Sequence, residues 1–191
     1  MRRAIILVLC LGSICAADLF ELTIGDDDGF GSGTPMVAGD KIWSFAAGDG
    51  DGTDRLIAGA SENMVYTFTF DPLVSVSSSS LFVQYADWPE TGGHLWLDNI
   101  RTDFQFTPLI PWEQQAPWTV LAALIDLLPY SDQLLDGTAA FRFIGSQTDA
   151  YVIDYITLNI EACPVPAPGA LILGCLGLGV AGWKLRKHRE L

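Results

Sequence analysis

Two short stretches of the sequence place several carboxylates between glycines, over residues 25 to 29 and 49 to 54. Glycine lets a backbone fold closely around an ion, and oxygen ligands at this density suit Ca²⁺. The spacing differs from an EF-hand loop, because the sixth residue counted from Asp49 is Asp54 and not glycine. The alternative is a pair of solvated acidic turns. We predict Ca²⁺ as the cofactor, and the candidate ligands in these stretches are Asp26, Asp28, Asp49, Asp51 and Asp54.

Tryptophans provide the second kind of candidate site, because the face of an indole ring is a platform for a sugar ring. Three of the six tryptophans stand beside prolines, where turns bring side chains to the surface; these are Trp88, Trp112 and Trp118. We predict them as glycan-binding residues. The alternative is that their rings cap the ends of the core, since aromatic side chains bury the most area. Trp43 and Trp96 fall in predicted strands and are expected in the core.

Catalytic motifs are absent from the sequence. The two histidines, His94 and His188, lie outside any HExxH pattern, and the chain has no GxSxG motif or phosphate-binding loop. We therefore predict that the protein is not an enzyme and has no catalytic residues. An enzyme acting on polysaccharide is the alternative, because the abundant acids include many pairs that a glycosidase could use.

The charge of the chain excludes nucleic acid as a partner. The net charge is −13, and residues 18 to 163 hold 22 of the 23 acidic residues but only four of the ten bases, a net charge of −18. Binding to phosphates depends on lysines and arginines that replace condensed counterions. A segment this acidic repels such a partner.

Alternating apolar residues predict the elements that must position these side chains. Met64, Tyr66 and Phe68 fall on one face of a strand and Val65 and Thr67 on the other. Similar strands are predicted over 19–24, 41–45, 64–70, 81–86, 94–100, 119–127, 139–144 and 151–160, with turn residues between them. This pattern predicts an all-β fold, an antiparallel β-sandwich. The apolar run over 121–128 is also compatible with a short helix.

The first 17 residues have the pattern of a signal peptide. Arg2 and Arg3 precede an apolar run, and small residues follow it up to Ala17. We predict cleavage after Ala17; a retained N-terminal anchor is the alternative, although the run is short for one. Cys10 and Cys15 would leave with the signal, so the domain is expected to hold without a disulfide. Cys163 is expected as an unpaired thiol in a linker, and an intermolecular bridge and a modification site are the alternatives.

The C-terminal segment has the pattern of a membrane anchor. A Pro-rich stretch over 163–169 leads into an uncharged apolar helix over 170–183, and the basic tail over 184–191 follows. Basic residues beside a membrane helix stay on the cytoplasmic side, so the tail is predicted to be cytoplasmic and residues 18–162 to form an extracytoplasmic ectodomain. Glycines within the run weaken the alternative of a buried core helix.

The order Val165, Pro166, Ala167, Pro168, Gly169, followed by a Gly-rich apolar helix and a basic end, resembles the PEP-CTERM sorting signal. The resemblance implies an exported bacterial protein whose tail is cut near the Pro-x-Pro motif by an exosortase, a membrane transpeptidase, often in organisms that make exopolysaccharide. The chain departs from the family in having Ala167 where glutamate usually stands. A plain tail anchor is the alternative.

The end of the ectodomain, Asp149 to Ile160, resembles the closing strand of galactose-binding-like jelly rolls, a group with many carbohydrate-binding modules. Asp154 alternates in register with Val152 and Ile156, so on the core face its carboxylate is buried and requires a partner. In the resembled jelly rolls, an acid in this strand and one in the first strand hold a structural calcium. The resemblance thus implies Glu21 and Asp154 as metal ligands.

These observations lead to two predicted functions of different kinds. The first is an exported, non-enzymatic cell-surface or extracellular-matrix protein, anchored through its C-terminal helix and released to the surface or matrix by an exosortase. The second is a calcium-stabilised carbohydrate-binding module that holds exopolysaccharide. Loop tryptophans lining one groove would favour the second function.

Overall fold

A computed structural model of the chain describes residues 17–44, 53–54, 56–58, 63–87, 94–105, 118–144 and 150–165. Within these ranges the chain forms ten β-strands and one 3₁₀ helix, Leu128–Leu134. The strands are β1 (Asp18–Gly25), β2 (Lys41–Ile42), β3 (Leu56–Ala58), β4 (Asn63–Thr69), β5 (Leu73–Asp87), β6 (His94–Leu97), β7 (Ile100–Gln105), β8 (Trp118–Asp126), β9 (Thr138–Ile144) and β10 (Ala150–Pro164).

The strands form two antiparallel sheets, as the alternating pattern predicted. The larger sheet has the order β1-β10-β5-β8-β2, and β3 also pairs with β10. The smaller sheet has the order β4-β9-β6-β7. The last strand, β10, therefore lies inside the larger sheet between the first strand and β5. The all-β architecture predicted from the sequence is confirmed at this level.

The core lies between the two sheets. One cluster of buried side chains joins Leu81, Ile156 and Leu158 of the larger sheet to Phe68 and Phe141 of the smaller one. Tyr66 packs edge-on against Phe143, and Phe68 packs edge-on against Phe141, an arrangement that aromatic pairs favour. Each sheet thus buries the face on which its apolar residues alternate, which is the arrangement of a β-sandwich.

A second, smaller cluster lies at the end of the larger sheet where the chain leaves β1. It consists of Phe30, Ile42, Ala86, Val120 and Val152, with Met36 and Trp118 packed against it. Phe30 lies in the loop between β1 and β2 and is fully buried. This cluster holds the 26–40 loop against the sheet, so the loop has a fixed position.

One predicted strand differs in the structure, and the strand predicted over 119–127, for which a short helix was the alternative, is confirmed. The strand predicted over 94–100 is a hairpin, in which β6 and β7 are joined by Asp98 and Asn99, both with positive φ. Residues 119–126 form a strand of the larger sheet and not a helix, because Leu121 and Ile125 pair with β5 and pack into the core.

The described part of the chain ends at Val165. β10 continues to Pro164, and the Val165 N–H donates to the Pro72 carbonyl at 2.9 Å. Cys163 is disulfide-bonded, which corrects the expectation of an unpaired thiol. No helix in the described ranges is long and apolar enough to cross a membrane. The predicted anchor over 170–183, the tail over 184–191 and residues 1–16 of the predicted signal lie outside the described residues.

Candidate metal centre

The site begins with an irregularity in β10. The register against β5 shifts between Ile153, opposite Tyr85, and Tyr155, opposite Gln84, so Asp154 is an extra residue in the strand. Val152, Ile153 and Asp154 are consecutive and all fully buried. A regular strand with one face in the core and the other in solvent would bury only every second residue. A β-bulge of this kind redirects one side chain. Here it places a carboxylate in the buried end of the larger sheet.

Groups from two other elements hold the Asp154 carboxylate. The backbone N–H of Phe30 donates to Oδ1 at 2.9 Å, and the Gln84 side-chain amide donates to Oδ2 at 2.8 Å. The same amide also donates to the Met36 carbonyl at 3.2 Å. Phe30 has φ +61, an uncommon conformation for a side chain of this size. The loop after β1 is therefore fastened to the bulge by both its backbone and its buried ring.

Asp28 belongs to the same loop and lies half-buried beside Asp154. Its Oδ1 accepts a hydrogen bond from the Gly31 N–H at 2.6 Å, and its carbonyl accepts one from the Thr34 N–H at 2.8 Å. The loop leaves β1 through Gly25, which has φ +85. A side chain at Gly25 would meet the Asp154 carbonyl at 2.4 Å, so only glycine fits this turn.

Asp54 and Thr53 approach the bulge from a separate segment. The Asp54 N–H donates to the Ile153 carbonyl at 2.7 Å, and Asp54 has φ +57. Both side chains are fully buried. The Thr53 hydroxyl has no hydrogen-bond partner among the described residues, and it lies beside the position that a Gly25 side chain would occupy. A buried hydroxyl in this state is a candidate ligand or a contact for a bound water.

Together these elements form an acidic triad, Asp28, Asp54 and Asp154. One carboxylate oxygen from each lies within 4.8 Å of the others. Calcium binds oxygen at 2.3 to 2.6 Å, so two oxygens on one ion lie no more than about 5 Å apart, and the triad satisfies this limit. The triad contains oxygen donors alone, which favours Ca²⁺ over Zn²⁺, a metal bound mainly by nitrogen and sulfur. The triad can therefore hold a metal ion.

The electrostatics of the triad favour a cation. Burial raises the pKa of Asp154 from 3.8 to about 6, the hydrogen bonds from Phe30 and Gln84 lower it, and the negative charges of Asp28 and Asp27 raise it. The described bases have their contacts elsewhere: Lys41 with Thr119, Arg101 with His94 and Arg142 with Trp96. A divalent cation at the triad would relieve the repulsion between its carboxylates.

The other predicted metal ligands have different positions. Glu21 is exposed on β1 opposite Asn159, five residues along β10 from Asp154, or roughly 17 Å at the usual rise per residue. The structure therefore does not bring Glu21 and Asp154 together. Asp26 is exposed and lies outside the triad, and Asp49 and Asp51 lie outside the described residues. Sequence reasoning did not identify Gln84, Phe30 or Thr53, because none carries a charge or belongs to a motif.

Of the three predicted glycan-binding tryptophans, only Trp118 lies in the described part of the chain, so the shared groove stays a prediction. Trp118 is half-buried against the smaller core cluster, and Trp88 and Trp112 lie outside the described residues. Trp43 and Trp96, both expected in the core, are instead at the surface. The Trp43 side chain is 78% exposed, and Trp96 is half-buried on the outer face of the smaller sheet.

Comparison with solved structures gives fifteen distant likenesses, three of which are described below. No protein-family model matches the chain, and no curated protein matches its sequence. The chain is similar to the CBM35 from Cellvibrio japonicus Abf62, with TM-score 0.43 and 12% identity over 77% of this chain and 100% of that one. It is also similar to a family 35 carbohydrate binding module from an environmental isolate, with TM-score 0.39 and 15% identity over 66% of this chain and 90% of that one.

The third similar structure is the dimeric latent PorU from Porphyromonas gingivalis, with TM-score 0.41 and 13% identity over 80% of this chain and 14% of that one. Identities and TM-scores of this size mark a remote likeness. The chain is a two-sheet antiparallel β-protein with an acidic triad at one end of its larger sheet.

Proposed function

We propose that the chain is an exported, non-enzymatic cell-surface or extracellular-matrix protein whose β-sandwich is stabilised by Ca²⁺. The observation that carries this proposal is the acidic triad, in which three separate segments of the chain contribute carboxylates to one place. An ion bound there would join the loop after β1, the segment of Asp54 and the bulge of β10. Its role would be to stabilise the fold.

The surroundings of the triad support a structural role. Both oxygens of Asp154 already accept hydrogen bonds from the domain itself, so the site is organised before an ion arrives. Calcium sites in extracellular modules work at 10⁻⁴ to 10⁻³ M, a range suited to an exported protein. The net charge of −18 over residues 18–163 adds repulsion that a bound cation reduces.

The targeting part of the proposal rests on the sequence of the two ends. Residues 1–17 are proposed as the signal peptide, 163–169 as the sorting motif and 170–183 as the transmembrane helix, with an exosortase as the processing partner. Val165, the first residue of the five-residue motif, is 51% exposed and directly follows β10. An exposed Val165 directly after the last strand supports access of a membrane protease to the motif that it begins.

Thermal unfolding of the mature protein tests the calcium proposal. We expect Ca²⁺ to raise the melting temperature and chelator to reverse the rise; at ~100 times its dissociation constant, one site adds about 2.7 kcal/mol. Asp28→Asn should abolish the rise, whereas Asp132→Asn, the same change at an exposed acid of the 3₁₀ helix, should preserve it. Magnesium should substitute poorly. An equal rise in melting temperature with sodium at matched ionic strength would show that calcium acts only by charge screening.

Deletion of residues 167–191 tests the anchor and the sorting signal. We expect the truncated protein to leave the membrane fraction, because no other stretch of the mature sequence is long and apolar enough to span a bilayer. Replacing Pro166 and Pro168 by alanine should preserve membrane insertion and abolish conversion to a shorter mature form. A truncated protein that still sediments with membranes contradicts the anchor, and an unchanged conversion contradicts the sorting motif.

A second candidate function is carbohydrate binding, with Ca²⁺ stabilising the module. The observation that favours it is Trp43, whose indole is 78% exposed at the end of β2. Ile42 pairs with Trp118, so Trp43 lies at the edge of the larger sheet, close to the one predicted glycan-binding tryptophan that the structure describes. An exposed indole at this position offers a stacking face for a sugar.

A glycan array probed with the mature protein, with and without Ca²⁺, tests this second function. We expect binding to at least one polysaccharide, and Trp43→Ala should weaken it without changing the melting temperature because the side chain is exposed. Retained binding in that variant would exclude Trp43 as a contact. A protein that binds no glycan under either condition would leave the structural role as the function.

A further inference from the structure

A second chemical site lies on the outer face of the smaller sheet, on the opposite side of the core from β10. Four side chains there form one row across all four strands, which we call the arginine row: Val65, Arg142, Trp96 and Arg101. Val65 pairs with Arg142, Arg142 with Trp96, and Trp96 with Arg101. Alternating neighbours such as Tyr66, Phe141 and Leu95 point into the core, so the row faces outward.

The arginine row concentrates positive charge on an acidic domain. Arg101 and Arg142 are two of the three lysines and arginines in the described ranges, and His94 lies beside them on the same face. Neither guanidinium forms an ion pair with a carboxylate of the described ranges. The arginine row is thus a positively charged surface on a domain that otherwise repels anions. Such a surface is complementary to a negatively charged partner.

Contacts between guanidinium groups and aromatic rings join the members of the arginine row. The Arg142 guanidinium carbon lies 4.9 Å from the centroid of the Trp96 ring. The Arg101 guanidinium contacts both nitrogens of the His94 ring, at 2.8 and 3.2 Å. Burial and the charge of Arg101 lower the pKa of His94. Guanidinium groups held against rings keep their outer N–H groups available for bidentate contact with a carboxylate.

A cavity of about 260 Å³ adjoins the Arg101 end of the arginine row and is lined by His94, Arg101, Thr102 and Asp103. Its charged groups differ in sign. The Arg101 guanidinium can bind an anion, whereas the Asp103 carboxylate accepts hydrogen bonds from hydroxyl or amide donors. A ligand that satisfies both groups carries a carboxylate and hydroxyls close together. Sugar acids have this combination on a ring that can lie against Trp96, whereas inorganic polyphosphate has no hydroxyls and polyglutamate has no ring.

We propose that the arginine row, together with this cavity, binds an acidic polysaccharide whose sugar rings carry carboxylates. Trp96 and the stacked guanidinium of Arg142 supply a planar surface for a ring, and Arg101 binds the carboxylate. This proposal relies on the proposed surface location for access to such a polymer. It is independent of the triad, which belongs to the larger sheet and to the loop after β1.

Affinity electrophoresis of the mature protein in gels containing alginate tests the proposal. We expect alginate to retard the protein, and neither neutral dextran nor polyglutamate at the same carboxylate concentration to do so. Arg101→Gln and Arg142→Gln should each weaken the apparent affinity about tenfold, the loss typical of one charge-assisted contact. Lys41→Gln is the matched control, because it removes the same charge from the other sheet.

Three controls make the result decisive. The Ca²⁺-induced rise in melting temperature should be the same in the arginine variants and the wild type, so folding and the triad are intact. Retardation should persist in Asp154→Asn, since alginate itself binds Ca²⁺ and could bridge to the triad. Loss of retardation in Asp154→Asn, equal loss in Lys41→Gln, or equal retardation by polyglutamate would each overturn the proposal, whatever the outcome of the calcium melts.

Discussion

At the scale of single residues, Asp154 links the strand pattern to the chemistry of the site. Its carboxylate is fully buried and has a pKa of about 6, mainly because burial disfavours the charged form. Between about pH 4 and pH 6 the folded protein therefore holds a proton that the unfolded chain has released. Without a cation, this group's contribution to stability decreases as pH rises through that window.

We predict that chelated wild-type protein loses stability between about pH 3.5 and pH 6.5 and that Asp154→Asn loses less. Over the whole titration, the free energy of unfolding of the wild type should fall by roughly 3 kcal/mol more than that of Asp154→Asn. This is the free energy that corresponds to a pKa of about 6 in place of 3.8. Calcium should remove the loss in the wild type, because the ion stabilises the charged carboxylate. Chemical denaturation at each pH measures this, and parallel curves for the two proteins would contradict it.

Residue identity also explains which parts of the site could be predicted. Asp28 and Asp54 were predicted as ligands because carboxylates near glycines are visible in the sequence. The strand pattern predicted a buried Asp154 carboxylate, and its role as a ligand was implied by the resemblance to jelly rolls. The meeting of these three carboxylates at one point depends on a bulge, and nothing in the spacing of Val152, Asp154 and Ile156 reveals an inserted residue. Glu21 came from a resemblance, and the register places it opposite Asn159.

At the scale of elements, the turn at Gly25 positions the loop that carries Asp28. We predict that Gly25→Ala lowers stability by more than about 2 kcal/mol, because positive φ and contact with the Asp154 carbonyl combine. Gly39→Ala is the matched control, since Gly39 has φ +103 but no atom within 4 Å of an added side chain, and should cost about 1 kcal/mol. Denaturation curves compare the variants; equal losses would show that the contact is unimportant.

The elements also show where strand prediction succeeded and where it failed. β4 and β9 match their predicted positions because large apolar residues alternate in both. The first half of β5 was not predicted, since its serines have little strand preference of their own and the pairing with β10 determines their conformation. The β6-β7 turn was missed although Asp98 and Asn99 both tolerate positive φ, as a two-residue hairpin of this kind requires.

At the scale of the whole molecule, the disulfide of Cys163 lies near the end of β10, at the start of the predicted sorting segment. The other cysteines, Cys10, Cys15 and Cys175, all belong to the predicted signal or anchor. We predict that Cys163 in the exported protein resists alkylation until reductant is added. Mass spectrometry of alkylated peptides measures this. A bond to Cys10 or Cys15 survives only if the signal is cut before that residue, and alkylation of Cys163 without reductant would contradict the prediction.

The whole molecule also has two chemically different ends. Asp18 pairs with Ala162 at the end where β10 leads to the predicted anchor, and the triad lies near Asp154 at the other end of the same strand. Ten residues of strand separate Asp154 from Pro164, or roughly 33 Å. In an anchored protein the triad is therefore on the side facing away from the membrane, where external calcium can reach it.

The position of β10 has a mechanical consequence for a protein attached to a surface. A force transmitted through Val165 pulls along β10, which pairs with β1 on one side and with β5 on the other. Hydrogen bonds in antiparallel pairs run perpendicular to the strands, so this force shears two ladders at once and does not open them one bond at a time. A chain that leaves from a strand inside the sheet spreads such a load over the hydrogen bonds of two strand pairs.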